Sequence, residues 1–331
     1  MSVNKQIVLD TRPVGKVSPA NFRLVEVPAP RAADGQIVVR HHYLSLDPYM
    51  RGRLSEAKSY ARPQEVGAVM GGGTVGEIVD SQRPEFQVGD FVVGMGGWQQ
   101  FSISDGMGWT KVDARAIPLS AYLGVVGMPG VTAWYGLNEI IKPKTGETVV
   151  VSAASGAVGG VVGQLAKLKG ARVLGIAGGR EKCAYVRDEL GFDGCIDHKS
   201  PRFDGELSAS LADGLDGLFE NVGGEPFQQC LKRVNDFARI AVCGLIASYE
   251  GAPTSLPDMR LFLVRRIKVE GFIVSDHLSL WPKALAEIGG LVAAGQLRYR
   301  ETVREGLDAA PQALVDLLHG GNFGKMLVKL V

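Results

Sequence analysis

Residues 148–160, reading Thr-Val-Val-Val-Ser-Ala-Ala-Ser-Gly-Ala-Val-Gly-Gly, constrain the fold of this chain more than any other stretch. The first five are the β-branched kind of run that forms a strand buried on both faces of a parallel sheet. Small residues follow: Ala153, Ala154, Ser155, Gly156, Ala157, Val158, Gly159 and Gly160. Beyond them Val161, Val162, Leu165 and Leu168 recur at helical spacing, with lysines in the last turn. A strand, a tight turn and a helix in this order set backbone N–H groups and a helix N-terminus against a pyrophosphate. Measured against G-x-G-x-x-G, Ala154 takes the first glycine position. Gly156 still lets the backbone approach the phosphates, and Gly159 lets helix and strand pack closely. The plainer alternative is an ordinary strand-to-helix turn.

The rest of the composition narrows the class. A chain of 331 residues is long enough for one or two domains with sizeable cores. Its 36 basic and 35 acidic side chains leave a net charge of +1, so no global field draws it to nucleic acid or an anionic membrane. No apolar run is long enough to span a bilayer and the first ten residues do not read as a signal peptide, so the cytoplasm is the expected compartment. Cys183, Cys195, Cys230 and Cys243 form no C-x-x-C pair, and neither a disulfide framework nor a cysteine metal site is expected.

Around the central stretch the chain changes character twice. Residues 1–120 read as β-rich, with short runs at 6–9, 22–27, 36–43, 74–79 and 90–94 set apart by turn residues. Gly71-Gly72-Gly73 marks a bend. Residues 120–136 are small and apolar and read as a helix entering a second domain. Strand and helix patterns then alternate: strands at 171–177, 194–197, 215–222, 238–244 and 267–274, helices at 181–190 and 226–234. That alternation specifies a doubly wound parallel sheet of the Rossmann type. Helices at 281–294 and 309–318 and a strand at 325–331 follow. The expected division is 1–120 with 301–331 as one domain and 121–300 as the nucleotide-binding one.

Cofactor choice has a local argument. A site for NAD wants a carboxylate at the end of the second strand, to accept from the ribose 2′-hydroxyl. Here that strand ends in Gly178-Gly179, then offers Arg180 and Lys182, with Glu181 between them. Cations suit a 2′-phosphate, and the expected cofactor is NADP(H). The competing reading is a solvated first turn of mixed charge.

Seven motifs in order carry a resemblance: LSLDPYMRG (44–52), GMPGVTAWYGL (127–137), SAASGAVGGVVGQLAKLKG (152–170), ENVGG (220–224), AVCGLIASY (241–249), EGFIVSD (270–276) and GGNFGK (320–325). The chain resembles the zinc-independent medium-chain dehydrogenase/reductases, and within them the leukotriene B4 12-hydroxydehydrogenase, prostaglandin reductase and alkenal double-bond reductase group. The resemblance implies a GroES-like β-rich domain beside the Rossmann domain, and a homodimer. It places the 2′-phosphate on Lys182, with Arg180, Gly179 and His198 near it; His198 stands where the family often has a tyrosine. It puts the turn residues Ala154, Ser155, Gly156, Ala157, Val158 and Gly159 on the pyrophosphate, and Met128 and Thr132 toward the nicotinamide. It also puts Asn221, Cys243, Gly244, Leu245, Ile246 and Tyr249 along the cofactor, with Phe272, Ile273, Val274 and Asn322. For Cys243 a plain packing role in a buried strand competes.

No metal is expected. The resemblance implies this: where zinc-dependent relatives carry ligands, the Asp47–Tyr49 segment has no cysteine, Met70 to Gly73 has no histidine and residues 90–115 have no cysteine, and the five histidines lack ligand spacing. Redox chemistry without a Lewis acid points away from alcohol oxidation. It points to hydride addition at the β-carbon of an α,β-unsaturated ketone or aldehyde, where a hydrogen-bond donor must steady the enolate oxygen. Tyr49 is the candidate donor, against the reading of a tyrosine packed in a loop. Arg51 is expected to tie that loop to a carboxylate such as Asp47. A tyrosine that relatives carry eight residues before the Phe272 position is here Val264, and Leu261, Phe262 and Val264 would instead widen an apolar pocket. The expected partner is a small apolar enone or enal. Two alternatives remain at this point: a quinone reductase of the same superfamily and a non-catalytic NADPH-binding protein.

Overall fold

The computed structural model describes residues 3–251 and 257–331, which form two compact units. The first combines 1–124 with 301–331, and the second is 125–300.

The first unit begins with an antiparallel hairpin, β1 (Val3–Leu9) on β2 (Phe22–Pro28). β3 (Ile37–Ser45) is the long strand of the main sheet, with Ile37, Val38, Val39 and Leu44 buried along it. After it the chain makes a single helical turn, α1 (Tyr49–Arg53), then β4 (Thr74–Ser81), β5 (Phe91–Gly94), β6 (Phe101–Ser104) and β7 (Thr110–Lys111). Gly76 on β4 has no room for a side chain, because a Cβ there would lie 2.1 Å from the Arg40 carbonyl oxygen of β3. Such close approach is what glycine in a strand permits.

The second unit opens with α2 (Met128–Tyr135), which loosens into a π-helical turn at Gly136–Ile141. A Cβ on Gly136 would meet the Phe219 ring at 2.4 Å, so the turn passes directly over an aromatic floor. Then come β8 (Thr148–Ser152), α3 (Gly159–Leu168), β9 (Arg172–Ala177), α4 (Arg180–Ala184) and β10 (Gly194–Asp197). The second half repeats the alternation with α5 (Phe203–Ser210), β11 (Leu215–Glu220), α6 (Gly224–Leu231), β12 (Val234–Val242), α7 (Met259–Arg265), β13 (Lys268–Gly271) and α8 (Trp281–Ala293). All six strands are parallel in the order β10-β9-β8-β11-β12-β13. Every residue of β8 is buried, as its uninterrupted apolar run requires. The order in which strands are added across the sheet reverses between β8 and β11, and that is where such sheets bind dinucleotides.

The chain then returns to the first unit with β14 (Glu301–Glu305), α9 (Ala310–Leu318) and β15 (Lys325–Lys329). β14 pairs parallel with β15, and β15 lies antiparallel to β3, completing the order β14-β15-β3-β4-β5-β7 with β6 also on β3.

Several boundaries differ from the sequence pattern. The strand expected at 267–274 ends at Gly271, because Val274 already begins a 3-10 turn that runs to Leu280. The helix expected at 181–190 is α4 followed by a π-helical turn, Tyr185–Glu189. The short elements α1, α5, α7, β6, β7 and β14 carry too little periodicity to be read in advance. No helix among the described residues is long and apolar enough to cross a membrane.

Candidate active site

The turn that leaves β8 is built for close approach. Ala153 takes a left-handed φ of 48°, and Gly156 N–H folds back onto the Ala153 carbonyl at 2.9 Å. A Cβ on Gly159 would sit 2.5 Å from that same carbonyl, so only glycine lets α3 begin there. α3 starts without a side-chain cap and with no acidic residue in its first turn. The positive end of its dipole is therefore not offset by a carboxylate in that turn, which suits an anionic phosphate. Ala154 and Ser155 are buried under the turn, while Gly156, Ala157 and Val158 are partly exposed.

Beyond β9 the chain gathers positive charge. Gly179 has φ 103°, and its N–H donates to the Asp197 carboxylate at 2.8 Å. The same Asp197 oxygen accepts from the Lys199 amide at 2.9 Å, so one carboxylate ties the ends of β9 and β10 together. A Cβ on Gly178 would meet His198 Nε2 at 2.9 Å and Lys199 Cε at 3.2 Å. His198 and Lys199 thus lie across the end of β9, and Lys182 approaches them from α4. Burial, then repulsion from Lys199, lowers the Lys182 pKa, with Glu181 opposing. Burial and then Lys199 likewise lower His198, and Lys182 adds to this. Arg180 is exposed beside them. Lys199 is the residue sequence reading missed; its signal was a second cation directly after the third strand of the nucleotide fold.

At the ends of β11 and β12 two loops are joined by backbone hydrogen bonds. Cys243 and Gly244 N–H donate to the Glu220 carbonyl, Ile246 N–H to Asn221, and Ala247 N–H to Val222. Asn221 reaches back to β8, its Nδ2 donating to the Ser152 carbonyl at 2.8 Å. Glu220 is almost wholly buried, and one of its oxygens accepts from Ser152 Oγ and the amides of Val222 and Gly223. Burial raises its pKa, with those donors opposing. Gly244 leaves space for the Tyr249 hydroxyl, which would lie 3.2 Å from a Cβ there and accepts from Leu245 N–H at 3.4 Å. The Cys243 thiol is pushed up to about 12, by burial and then by Glu220, so it is a wall and not a nucleophile.

Phe272 stands 5.3 Å from the Tyr135 ring, which itself stacks on His277 at 4.1 Å. Val274 is buried and accepts from Trp281 Nε1 at 3.1 Å; Ile273 separates it from Phe272. On α2, Thr132 Oγ1 donates to the Met128 carbonyl at 2.7 Å and lies 3.5 Å from its sulfur. The second unit therefore holds every expected cofactor residue except Asn322, which belongs to the first, where its Nδ2 donates to the Gly324 carbonyl at 2.7 Å.

The first unit also carries Tyr49, at the start of α1. Its ring packs on the apolar core of that unit and receives the Arg53 guanidinium at 5.1 Å. Burial and then the Asp47 carboxylate raise the phenol pKa above its usual range, so it stays protonated and able to donate. Asp47 is itself buried, held by Ser45 Oγ and by Lys325 Nζ at 2.9 Å. The expected Arg51–Asp47 tie is corrected here: Arg51 donates instead to the Gly15 carbonyl at 2.7 Å, and Lys325 supplies the counter-charge. Val264 and Leu263 lie exposed on α7, whereas Leu261 packs on the core of the second unit. Among the described residues no group of His, Cys, Asp and Glu comes together as a metal-ligand set.

Known proteins fit this frame. A family described as "N-terminal domain of oxidoreductase" matches residues 5–112, and one described as "Zinc-binding dehydrogenase" matches 157–289. The chain is 45% identical to the NADPH-dependent curcumin reductase of Escherichia coli (strain K12), over 99% of this chain and 97% of that protein. It is 39% identical to the NADP(+)-dependent 2-alkenal reductase of Nicotiana tabacum, over 98% and 97%. The crystal structure of CurA from Vibrio vulnificus in complex with NADPH superposes with a TM-score of 0.95 at 46% identity, covering 99% of both chains. A likeness of this extent, spanning both units, makes the chain a member of the zinc-independent medium-chain dehydrogenase/reductase family, in the group of the prostaglandin and alkenal reductases.

Proposed function

We infer that this protein is an NADPH-dependent oxidoreductase that reduces the C=C bond of α,β-unsaturated ketones and aldehydes. The observation that carries the reading is the end-to-end likeness to reductases named for curcumin and 2-alkenals. Those substrates share one reactive group, a carbonyl conjugated to a double bond. NADPH, when bound, supplies hydride to the β-carbon. The uncapped start of α3, with Gly156 and Gly159, holds the pyrophosphate, and Lys182, Arg180, His198 and Lys199 hold the 2′-phosphate. The fit rests on the cations gathered after β9, where burial and Lys199 lower the pKa of Lys182 and of His198, and where an NAD site would place a carboxylate.

Reduction leaves negative charge on the carbonyl oxygen, and the Tyr49 hydroxyl donates a hydrogen bond to it. Because burial and Asp47 hold that phenol protonated, Tyr49 stabilises the enolate without surrendering its proton. Water then protonates the α-carbon. Residues 1–120 with 301–331 act as the substrate domain and 121–300 as the NADP-binding domain. The protein works in the cytoplasm as a homodimer joined along β13. Exposed Val269 on that edge strand, with exposed Met259, Leu263 and Val264 on α7, supports the pairing. A monomeric mass by light scattering at micromolar concentration counts against it.

The test of the reaction is product analysis with 3-nonen-2-one and deuterated NADPH. The saturated ketone with deuterium at the β-carbon is expected; the allylic alcohol overturns the mechanism. Tyr49→Phe lowers kcat about a hundredfold, the lower end of the range seen on losing one such donor, with the KM for NADPH unchanged.

A further inference from the structure

The two ends of α1 meet on one face. Tyr49 and Arg53 stand four residues apart, the spacing that brings helical side chains together. The Arg53 guanidinium carbon lies 5.1 Å from the centroid of the Tyr49 ring, within the range of a cation on an aromatic face. Its Nη1 also runs close to Gly71, 3.7 Å from where a Cβ would stand. Gln64 fixes both of these neighbours. Its N–H donates to the Arg53 carbonyl at 2.7 Å, its Oε1 accepts from Gly71 N–H at 3.1 Å, and its Nε2 donates to the Val69 carbonyl at 3.1 Å. The carboxylates nearest to Arg53 in sequence are already taken, Asp47 by Lys325 at 2.9 Å and Glu56 by Arg12 at 3.0 Å. Arg53 is half-buried, and its Nε has no hydrogen-bond partner among the described residues. A guanidinium withdrawn from water in this way loses free energy unless something attracts it, and the face of the phenol does so.

We propose that Arg53 is a positioning residue for the reduction: lying on the Tyr49 ring, it holds the phenol in place and strengthens the hydrogen bond that the hydroxyl gives to the enolate oxygen. This rests on the reading of Tyr49 as that donor. A cation over an aromatic face draws electron density from the ring and its oxygen, so the O–H becomes a better donor as negative charge builds on the substrate. The Asp47 carboxylate pushes the phenol the other way, and Arg53 offsets part of that effect. The planar stack matters as well as the charge. A guanidinium lies flat on a ring and restrains it, which a lysine ammonium in the same place does not do.

The experiment is a kinetic double-mutant cycle on the full chain with 3-nonen-2-one, taking Arg53→Met and Tyr49→Phe singly and together. Arg53→Met lowers kcat about three- to tenfold, the worth of a cation on an aromatic face, and leaves the KM for NADPH unchanged. In the Tyr49→Phe background, where a ring remains but the hydroxyl is gone, the same substitution changes kcat by less than about twofold. Arg53→Lys falls between the wild type and Arg53→Met, since it keeps the charge and loses the stack. An equal loss in both backgrounds overturns the proposal, because Arg53 then acts on the fold and not through the hydroxyl. An unchanged kcat in Arg53→Met overturns it too. Where circular dichroism shows that Arg53→Met does not fold, Arg53→Lys takes its place in the cycle under the same criterion. If Tyr49→Phe alone keeps the wild-type kcat, the reading of Tyr49 as donor fails, and the proposal with it.

Discussion

His41 is neutral in the folded protein, and the reasons are local. The ring is fully buried, its Nδ1 2.8 Å from the Gln99 carbonyl and its Nε2 2.8 Å from Ser102 Oγ. Nδ1 therefore donates and Nε2 accepts. Burial, against the Gln99 hydrogen bond, lowers its pKa to about 4. A base depressed in this way makes its full contribution to stability above the unfolded value near 6.5. It loses that contribution as pH falls through the interval down to about 4, because the unfolded chain then binds more protons. The drop in unfolding free energy across that interval is roughly 3 kcal/mol from this residue. Urea titrations at pH 7 and pH 4 measure it, and His41→Gln flattens the difference. At the phosphate end, replacing Arg180 and Lys182 together by alanine raises the KM for NADPH tenfold or more, since each charge-assisted contact is worth about 1.5–3 kcal/mol, and leaves NADH little affected. Unchanged kinetics with both cofactors place the 2′-phosphate elsewhere. The role proposed for Lys182 could be framed from sequence because its charge stands beside a recognisable turn. Lys199 and the Asp47–Lys325 pair were not, since tertiary structure alone makes those neighbours.

Single elements show the same division. β8 was readable because a strand buried on both faces is apolar nearly throughout, and β9 follows the same pattern after its exposed Arg172. α7 was not, because none of its residues is buried within this chain and its apolar side chains follow no inward stripe. The most constrained junction is β8 to α3. Gly159→Ala sets a methyl 2.5 Å from the Ala153 carbonyl oxygen, and backbone must move to admit it. Overpacking of this kind costs about 1–3 kcal/mol. Because the pyrophosphate is common to both dinucleotides, this substitution raises the KM for NADPH and NADH alike. Gly160→Ala meets only the tip of Leu190 at 3.2 Å and serves as the control. Equal kinetics for the two variants would falsify the role given to the α3 N-terminus.

At the scale of the molecule, the parallel sheet order followed from the alternation of strand and helix, since right-handed crossovers leave few other arrangements. The first unit is harder to read, because it is discontinuous and its strands are short. Its larger core contains eight residues from beyond position 300 among eighteen: Leu307, Ala310, Ala313, Leu314, Leu317, Met326, Val328 and Leu330. Deleting residues 301–331 therefore unfolds the first unit while the second, whose core contains none of them, keeps its circular-dichroism signature and still binds NADPH, more weakly for want of Asn322. Equilibrium dialysis of the truncated chain checks this, and loss of nucleotide binding counts against it. The buried Lys325–Asp47 pair joins residues 278 positions apart, beside the tyrosine assigned to the enolate. During synthesis the nucleotide fold is complete on the nascent chain before that lysine has been added. Asp47 then waits without its counter-charge, and the loop bearing Tyr49 stays unanchored until Lys325 has emerged. A nascent chain stalled short of Lys325 therefore holds every residue of the second unit but lacks the ion pair that fixes the Tyr49 loop.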